Sequence, residues 1–230
     1  MNIFKKIGNI ENHINKYLRK IESWLVKWRL KMAPQKCNFL IFSKNSESES
    51  NKLDLRLFGE KLCVNESPTF LGIRFDRHLT FKNQISYLQD SCVNRLNFLK
   101  IVSKRSFGLT SDTLNSLYIS IIRSVLEYSS IITPNMATSS LNKLTIIQNK
   151  AIKIINHQPI HTSIENINTN IPNLIDRFDD LNKRYIIQAF LNNNDLITDL
   201  WKEYLDYKAN HPMCKETLLC KYKTEIEDFI

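Results

Sequence analysis

Thr69-Phe70-Leu71-Gly72-Ile73-Arg74-Phe75-Asp76 alternates its side chains, with Leu71, Ile73 and Phe75 on one face and Phe70, Gly72 and Arg74 on the other. A few residues later Phe81, Ile85, Leu88, Cys92, Leu96 and Leu99 recur at steps of three and four. The first spacing is that of a strand and the second that of a helix with one buried face. The change of period near Phe81 therefore separates a front part that contains strands from a rear part that is helical.

Ahead of this stretch, Leu53, Leu55 and Leu57 alternate with Asp54 and Arg56, Gly59 interrupts, and Leu62 and Val64 alternate again, which predicts a hairpin. Cys37 to Ser43 holds the tightest apolar cluster, Phe39-Leu40-Ile41-Phe42, and reads as a core strand buried on both faces. Residues 45–51, with their repeated Ser-Glu, read as a solvated loop. Further forward, Ile10, Ile14, Tyr17, Leu18, Ile21, Leu25 and Trp28 share one face of a long amphipathic helix, 10–31, that Pro34 stops. Its other face carries Lys16, Arg19, Lys20, Lys27, Arg29 and Lys31. Trp24 and Trp28 read as core anchors or partner contacts rather than base-stacking groups.

Behind Phe81, Thr110 or Ser111 caps a helix with Leu114, Leu117, Tyr118, Ile121, Ile122 and Val125 inward. Ser139 or Ser140 caps another, with Leu141, Leu144, Ile147, Ala151 and Ile155 inward, ended by Pro159. Pro172 opens a third, with Leu174, Phe178, Leu181, Tyr185 and Phe190 as core positions. Residues 195–230 mix charged and aromatic side chains and give only a weak helical signal. The fold class is α+β: a long N-terminal helix and small antiparallel sheet, then a mostly α-helical bundle.

Two hundred and thirty residues with 43% hydrophobic content are enough to bury a core, and only 4 Gly and 6 Pro argue against disorder. No apolar run approaches the roughly 20 residues of a membrane-spanning helix, and no secretory leader is expected. Five scattered cysteines suit reduced thiols. An intracellular protein, nuclear or cytoplasmic, is therefore expected, with no membrane partner. Lysine and arginine number 32 against 23 acidic residues, a net +9. Residues 1–115 hold 20 basic and 10 acidic side chains, residues 116–230 hold 12 and 13, so the excess lies in the front half. Such asymmetry points to a polyanionic partner.

Chemical motifs are scarce. No glycine-rich phosphate loop occurs. Asp179 and Asp180 are neighbours on a predicted helix, about 100° apart, and do not clamp one metal. His157 and His161 have Pro159 between them, which breaks the helix that a zinc pair needs. His211, Cys214 and Cys220 lack a fourth ligand and the usual spacing. No metal site is expected.

One ordered set of motifs remains. Trp24-Leu25-Val26-Lys27-Trp28-Arg29-Leu30-Lys31, Pro34-Gln35-Lys36-Cys37, Phe42, Gly59-Glu60-Lys61-Leu62, Phe70-Leu71-Gly72-Ile73, Asp76 and Leu79-Thr80-Phe81 follow one another. In order and spacing they resemble the stretch behind the catalytic aspartates of jockey-like, LINE-type non-LTR retrotransposon reverse transcriptases. Leu117-Tyr118, Leu126-Glu127-Tyr128 and Gln148-Asn149-Lys150-Ala151 are similar to the thumb region that follows. The resemblance covers roughly residues 10–190.

It implies a palm remnant over 1–80, a helical thumb-like region over 81–158 and a C-terminal helical extension over 159–230. Lys36 would match the motif D lysine, a general acid for the departing pyrophosphate. Phe70, Leu71 and Gly72 would match the primer-grip turn. Lys82, Arg95, Lys100, Lys104 and Arg105 would be thumb contacts to template-primer phosphates. The partner would be an RNA/DNA or DNA duplex bound without sequence preference. The Ala-Asp-Asp turn of the family is missing, so the resemblance implies a truncated RNA-directed DNA polymerase that is inactive alone. Magnesium is implied only for the complete polymerase, and no cofactor is expected in this chain. The competing reading is a helical protein-interaction module that docks the 10–31 helix on a partner or on the missing polymerase half.

Overall fold

The computed structural model describes residues 3–43, 53–192, 194–210 and 218–227. The expected loop at 45–51 lies outside them, as do His211 and Cys214. The chain forms two compact units, Met1–Gln84 and Ile85–Ile230, whose boundary falls within one helix.

In the first unit, helix α1 spans Ile3–Lys27. It stops before the expected Lys31, because the chain leaves helical geometry at Arg29, whose φ is +54°. The inward stripe is narrower than expected. Leu25 is buried and Ile14 and Leu18 pack on a cluster of Leu53, Leu55, Leu57 and Leu62, whereas Ile10, Tyr17 and Trp28 are exposed. Beside that stripe, polar side chains of α1 meet the backbone of residues 54–58. Asn15 donates to the Asp54 carbonyl (2.9 Å) and accepts from the Arg56 amide (3.0 Å). Glu11 accepts from the Asp54 amide (3.1 Å) and Glu22 from the Phe58 amide (2.5 Å). The helix thus supplies hydrogen-bond partners to an edge that would otherwise offer its donors to another chain.

The strands are short. A 3₁₀ turn at Pro34–Lys36 leads into β1, Asn38–Phe39. Strands β2 (Arg56–Leu57) and β3 (Glu60–Lys61) form the expected hairpin, Arg56 opposite Lys61. Its two-residue turn, Phe58-Gly59, has φ of +51° and +80°, the signature of a type I′ turn. Strand β4, Cys63–Val64, then pairs with β1 in parallel, Asn38 opposite Cys63. Strands β5 (Thr69–Phe70) and β6 (Ile73–Arg74) form a second hairpin, turning at Leu71-Gly72 with φ of +47° and +78°.

Two strand expectations are corrected. Cys37–Ser43 is not a strand buried on both faces: two residues pair, on one side only, and Phe42 is 53% exposed. Thr69–Asp76 is not one strand but a hairpin, because Gly72 provides the positive φ its turn requires. Among the described residues the strands correspondingly form three two-stranded ladders, two antiparallel and one parallel.

Helix α2, Lys82–Val102, crosses the unit boundary, and its expected inward residues Ile85, Leu88, Cys92, Leu96 and Leu99 are all buried. In the second unit α3 (Ser111–Tyr118) is capped by Thr110, whose hydroxyl accepts from the Thr113 amide (3.3 Å). A π-helical segment, Ile119–Arg123, joins it to α4, Ser124–Tyr128. Besides Arg123, the buried residues of this continuous rod are Leu114, Tyr118, Ile122 and Leu126, four apart each time. A regular α-helix would rotate such a stripe by about 40° per step, and the wider π turn holds it on one side. Leu117, Ile121 and Val125 are only half-buried.

Helix α5 spans Thr138–Ile155 and begins one residue before the expected serine caps, with no side-chain cap. Its buried set is Ser140, Leu144, Ile147, Gln148, Ala151, Ile152 and Ile155, while the expected Leu141 is only half-buried. Helix α6, Leu174–Leu191, follows Pro172 and is capped by Asn173 (2.8 Å to the Ile175 amide). Its buried positions are Leu174, Phe178, Asn182, Ile186 and Ala189, so Tyr185 points outward, 54% exposed, against expectation. The weak signal after 195 hides α7, Asp195–Asn210, followed by α8 (Leu218–Lys221) and α9 (Lys223–Glu227). Trp201, Tyr204, Tyr222 and Ile226 pack there with Ile186.

Candidate nucleic-acid interface

The expected site residues divide between the two units. In the first, Lys36 ends the Pro34–Lys36 turn and is exposed, while its neighbour Gln35 donates to Glu60 at 2.5 Å. Phe70 and Leu71 form an apolar tip, 65% and 71% exposed, with Gly72 completing the turn. Lys82, the first residue of α2, is exposed.

The loop between β6 and α2 owes its shape to Asp76. One carboxylate oxygen accepts from the amides of His78 (3.1 Å) and Thr80 (3.0 Å) and from the Thr80 hydroxyl (3.2 Å), and the other from the Phe81 amide (2.5 Å). These bonds let Leu79 and Phe81 adopt positive φ and turn the chain into α2. Phe81 is thereby buried, its ring edge-on to Phe75 (5.8 Å between centroids).

In the second unit, Arg95 folds back along α2, donating to the carbonyl (2.8 Å) and hydroxyl of Ser91. It lies about 140° around the helix from Lys100. The two do not share a face. Lys100, Lys104 and Arg105 are all exposed and fall within six residues at the end of α2 and the 3₁₀ turn Arg105–Phe107. The same segment exposes Phe98 (49%), Ile101 (51%) and Phe107 (54%). Cations interleaved with accessible rings suit a nucleic-acid strand, whose phosphates and base faces they match.

The second unit carries buried polar groups that sequence spacing does not reveal. Tyr118 donates to Gln148 (2.8 Å), and Gln148 donates to the Pro172 carbonyl (2.9 Å), linking α3, α5 and the approach to α6. Glu127 accepts through one oxygen from Arg123 (2.6 Å) and Arg177 (2.9 Å). Burial alone would raise the Glu127 carboxyl, but hydrogen bonds from Arg177 and Arg123, and their charges, hold it below the usual range. Asn182 donates to the Ser130 carbonyl (3.0 Å). In each case a polar residue on an apolar stripe reaches a specific partner, which is the condition for burying it. Burial also pushes the Cys92 thiol up to about 11, marking it as inert packing.

The residues present do not fit the metal pair of a polymerase. Among the described residues no three His, Cys, Asp or Glu side chains converge on one point. Asp76 is engaged with its own loop, and Asp179 holds Lys221 at 2.7 Å through both oxygens. Asp54 pairs with Arg56 at 3.0 Å. His157 and His161 lie at the end of α5 and beyond it rather than on one helix face. No helix among the described residues is long and apolar enough to cross a membrane.

No protein-family model matches the chain, and no solved structure matches it. Curated proteins do. An RNA-directed DNA polymerase from the mobile element jockey of Drosophila melanogaster is 25% identical over 201 residues, 85% of this chain and 21% of the relative. Its counterpart from Drosophila funebris is 25% identical over 174 residues, 75% of this chain and 19% of the relative. A probable RNA-directed DNA polymerase from transposon BS of Drosophila melanogaster is 25% identical over 148 residues, 64% of this chain and 16% of the relative. The chain spans about a fifth of the length of these curated relatives. In sequence, then, it is similar to the reverse transcriptases of jockey-like non-LTR elements.

Proposed function

We propose that this chain is the template-primer-holding part of a non-LTR reverse transcriptase, a part distinct from the carboxylates that perform the chemistry. The observation that carries the reading is the similarity to RNA-directed DNA polymerases across 85% of the chain. The exposed cations and rings at 98–107 support it. Lys82, Lys100, Lys104 and Arg105 hold phosphates of an RNA/DNA or DNA duplex, and Arg95 bonds to Ser91 within α2. The Phe70-Leu71-Gly72 tip lies against the primer strand, where absence of a side chain on Gly72 allows close backbone approach. In an assembled polymerase Lys36 stands ready to protonate departing pyrophosphate.

The test is duplex affinity as a function of salt. Four phosphate contacts give a log–log slope of roughly −3 to −4. Replacing Lys100, Lys104 and Arg105 together by alanine lowers the slope by about 2 to 3. A salt-independent affinity, or an unchanged slope in the triple variant, would refute the reading. Primer extension by this chain alone is expected to fail at any magnesium concentration, because two-metal chemistry needs a carboxylate cluster.

A further inference from the structure

Two helices, one in each unit, present an exposed apolar stripe beside their inward face. On α1, Ile10 (45% exposed), Tyr17 (63%) and Trp24 (54%) are spaced by seven and lie nearly in line, and just past the helix end Trp28 (62%) sets its ring 6.3 Å from that of Trp24, tilted by 49°. On α7, Leu196 (68%), Leu200 (42%) and Tyr207 (55%) follow at steps of four and seven, with Glu203 between them. The inward faces of both helices are already occupied, by Leu25 on α1 and by Trp201 and Tyr204 on α7. Each helix is therefore apolar on two sides, a pattern a solitary surface helix has no need of.

The charges around the two stripes are opposite in sign. The acidic residues of α1, Glu11 and Glu22, turn to the backbone of residues 54–58, which leaves exposed Lys16, Lys20 and Lys27 beside the stripe. On α7 the exposed flank is Asp199, Glu203 and Asp206; Lys202 meets only Asp199, at 3.8 Å, which leaves the flank net acidic, and Lys208 is drawn away to the Cys220 sulfur at 3.1 Å. The lengths agree as well. Ile10 to Trp24 covers roughly 21 Å of helix and Leu196 to Tyr207 roughly 16 Å.

We infer that α1 of one molecule docks on α7 of a second copy of this chain, ring stripe against leucine stripe, with the lysines of one facing the carboxylates of the other. The pairing follows coiled-coil logic, in which flanking charges select the partner. It stands independently of whether the chain holds nucleic acid.

Charge reversal on the full chain tests it. Nuclease-treated protein is followed by sedimentation velocity over a concentration series. The unaltered chain is expected to self-associate as concentration rises. Lys16→Glu/Lys20→Glu/Lys27→Glu is expected to sediment as a monomer, since its α1 now repels α7. Asp199→Lys/Glu203→Lys/Asp206→Lys is expected to do the same. Mixed in equal amounts, the two variants are expected to associate again, because each now carries the complement of the other. Circular dichroism equal to that of the parent shows that the exposed substitutions left the fold intact. A chain that stays monomeric throughout, as when α1 is covered within the same molecule, overturns the proposal. So do association that nuclease abolishes and a mixture of folded variants that fails to recover.

Discussion

Glu127 holds two arginines through a single oxygen, and its two partners differ in depth. The Arg123 side chain is 8% exposed and that of Arg177 28%. Removing the carboxylate leaves a guanidinium buried beside the π segment without its counter-charge. Glu127→Ala is expected to destabilise the chain by about 2 to 3 kcal/mol in urea denaturation, below the full cost for a deeply buried pair because Glu127 is partly solvated. The sign of the pH effect follows from the lowered folded-state pKa. The stabilisation is fully present above the unfolded glutamate value and is lost as pH falls through the folded one. The parent should therefore lose stability in acid over a window in which Glu127→Ala does not, a difference readable from urea midpoints taken between neutral and acidic pH. Neither the Arg177 arm of this bridge nor the Tyr118–Gln148 bond is legible in sequence. Spacing marks a polar residue on an apolar stripe as an exception without naming its partner, and the partners lie 50 and 30 residues away.

At the scale of elements, the helical half is legible in the sequence where aliphatic side chains carry the period, as in α2 with Ile85, Leu88, Cys92, Leu96 and Leu99. It was misread where polar residues complete the stripe. On α6 the buried position is Asn182, and choosing apolar residues only led to Tyr185, one step around the helix. The rod 111–128 was misread for another reason: its four-residue period belongs to no regular helix and needs the π turn. That turn makes the register of everything after it depend on one extra residue. Deleting Ser120 is expected to rotate 124–128 by about 100°, taking Leu126 and Glu127 off their partners and costing about 3 kcal/mol or more. Ser120→Ala, which keeps the register, should change stability by no more than about 0.5 kcal/mol. Equal midpoints for the two variants in thermal melts would mean that the π turn relaxes without consequence. In the strand half, clustered Phe39, Leu40, Ile41 and Phe42 suggested burial on two sides, yet a single short ladder forms and the rest of the segment is only partly covered.

Taken as a whole, the chain keeps its basic excess in one unit. Residues 1–84 carry 16 basic against 8 acidic side chains, and residues 85–230 carry 16 against 15. The asymmetry visible between halves of the sequence thus follows the structural division: the positive excess belongs to the first unit, while the cations at 100–105 form a local cluster in the second. Within the first unit, the contribution of α1 reaches beyond apolar packing. Because Glu11, Asn15 and Glu22 accept from the amides of Asp54, Arg56 and Phe58, those three protons are shielded by a helix rather than by a neighbouring strand. Their exchange with deuterium is then a clock for the lifting of α1, separate from the opening of the hairpin, which the Leu62 amide reports through its bond to the Leu55 carbonyl (2.8 Å). Asn15→Ala should quicken labelling at Arg56 while leaving Leu62 as slow as before, and equal acceleration at both would mean that helix and hairpin come apart as one.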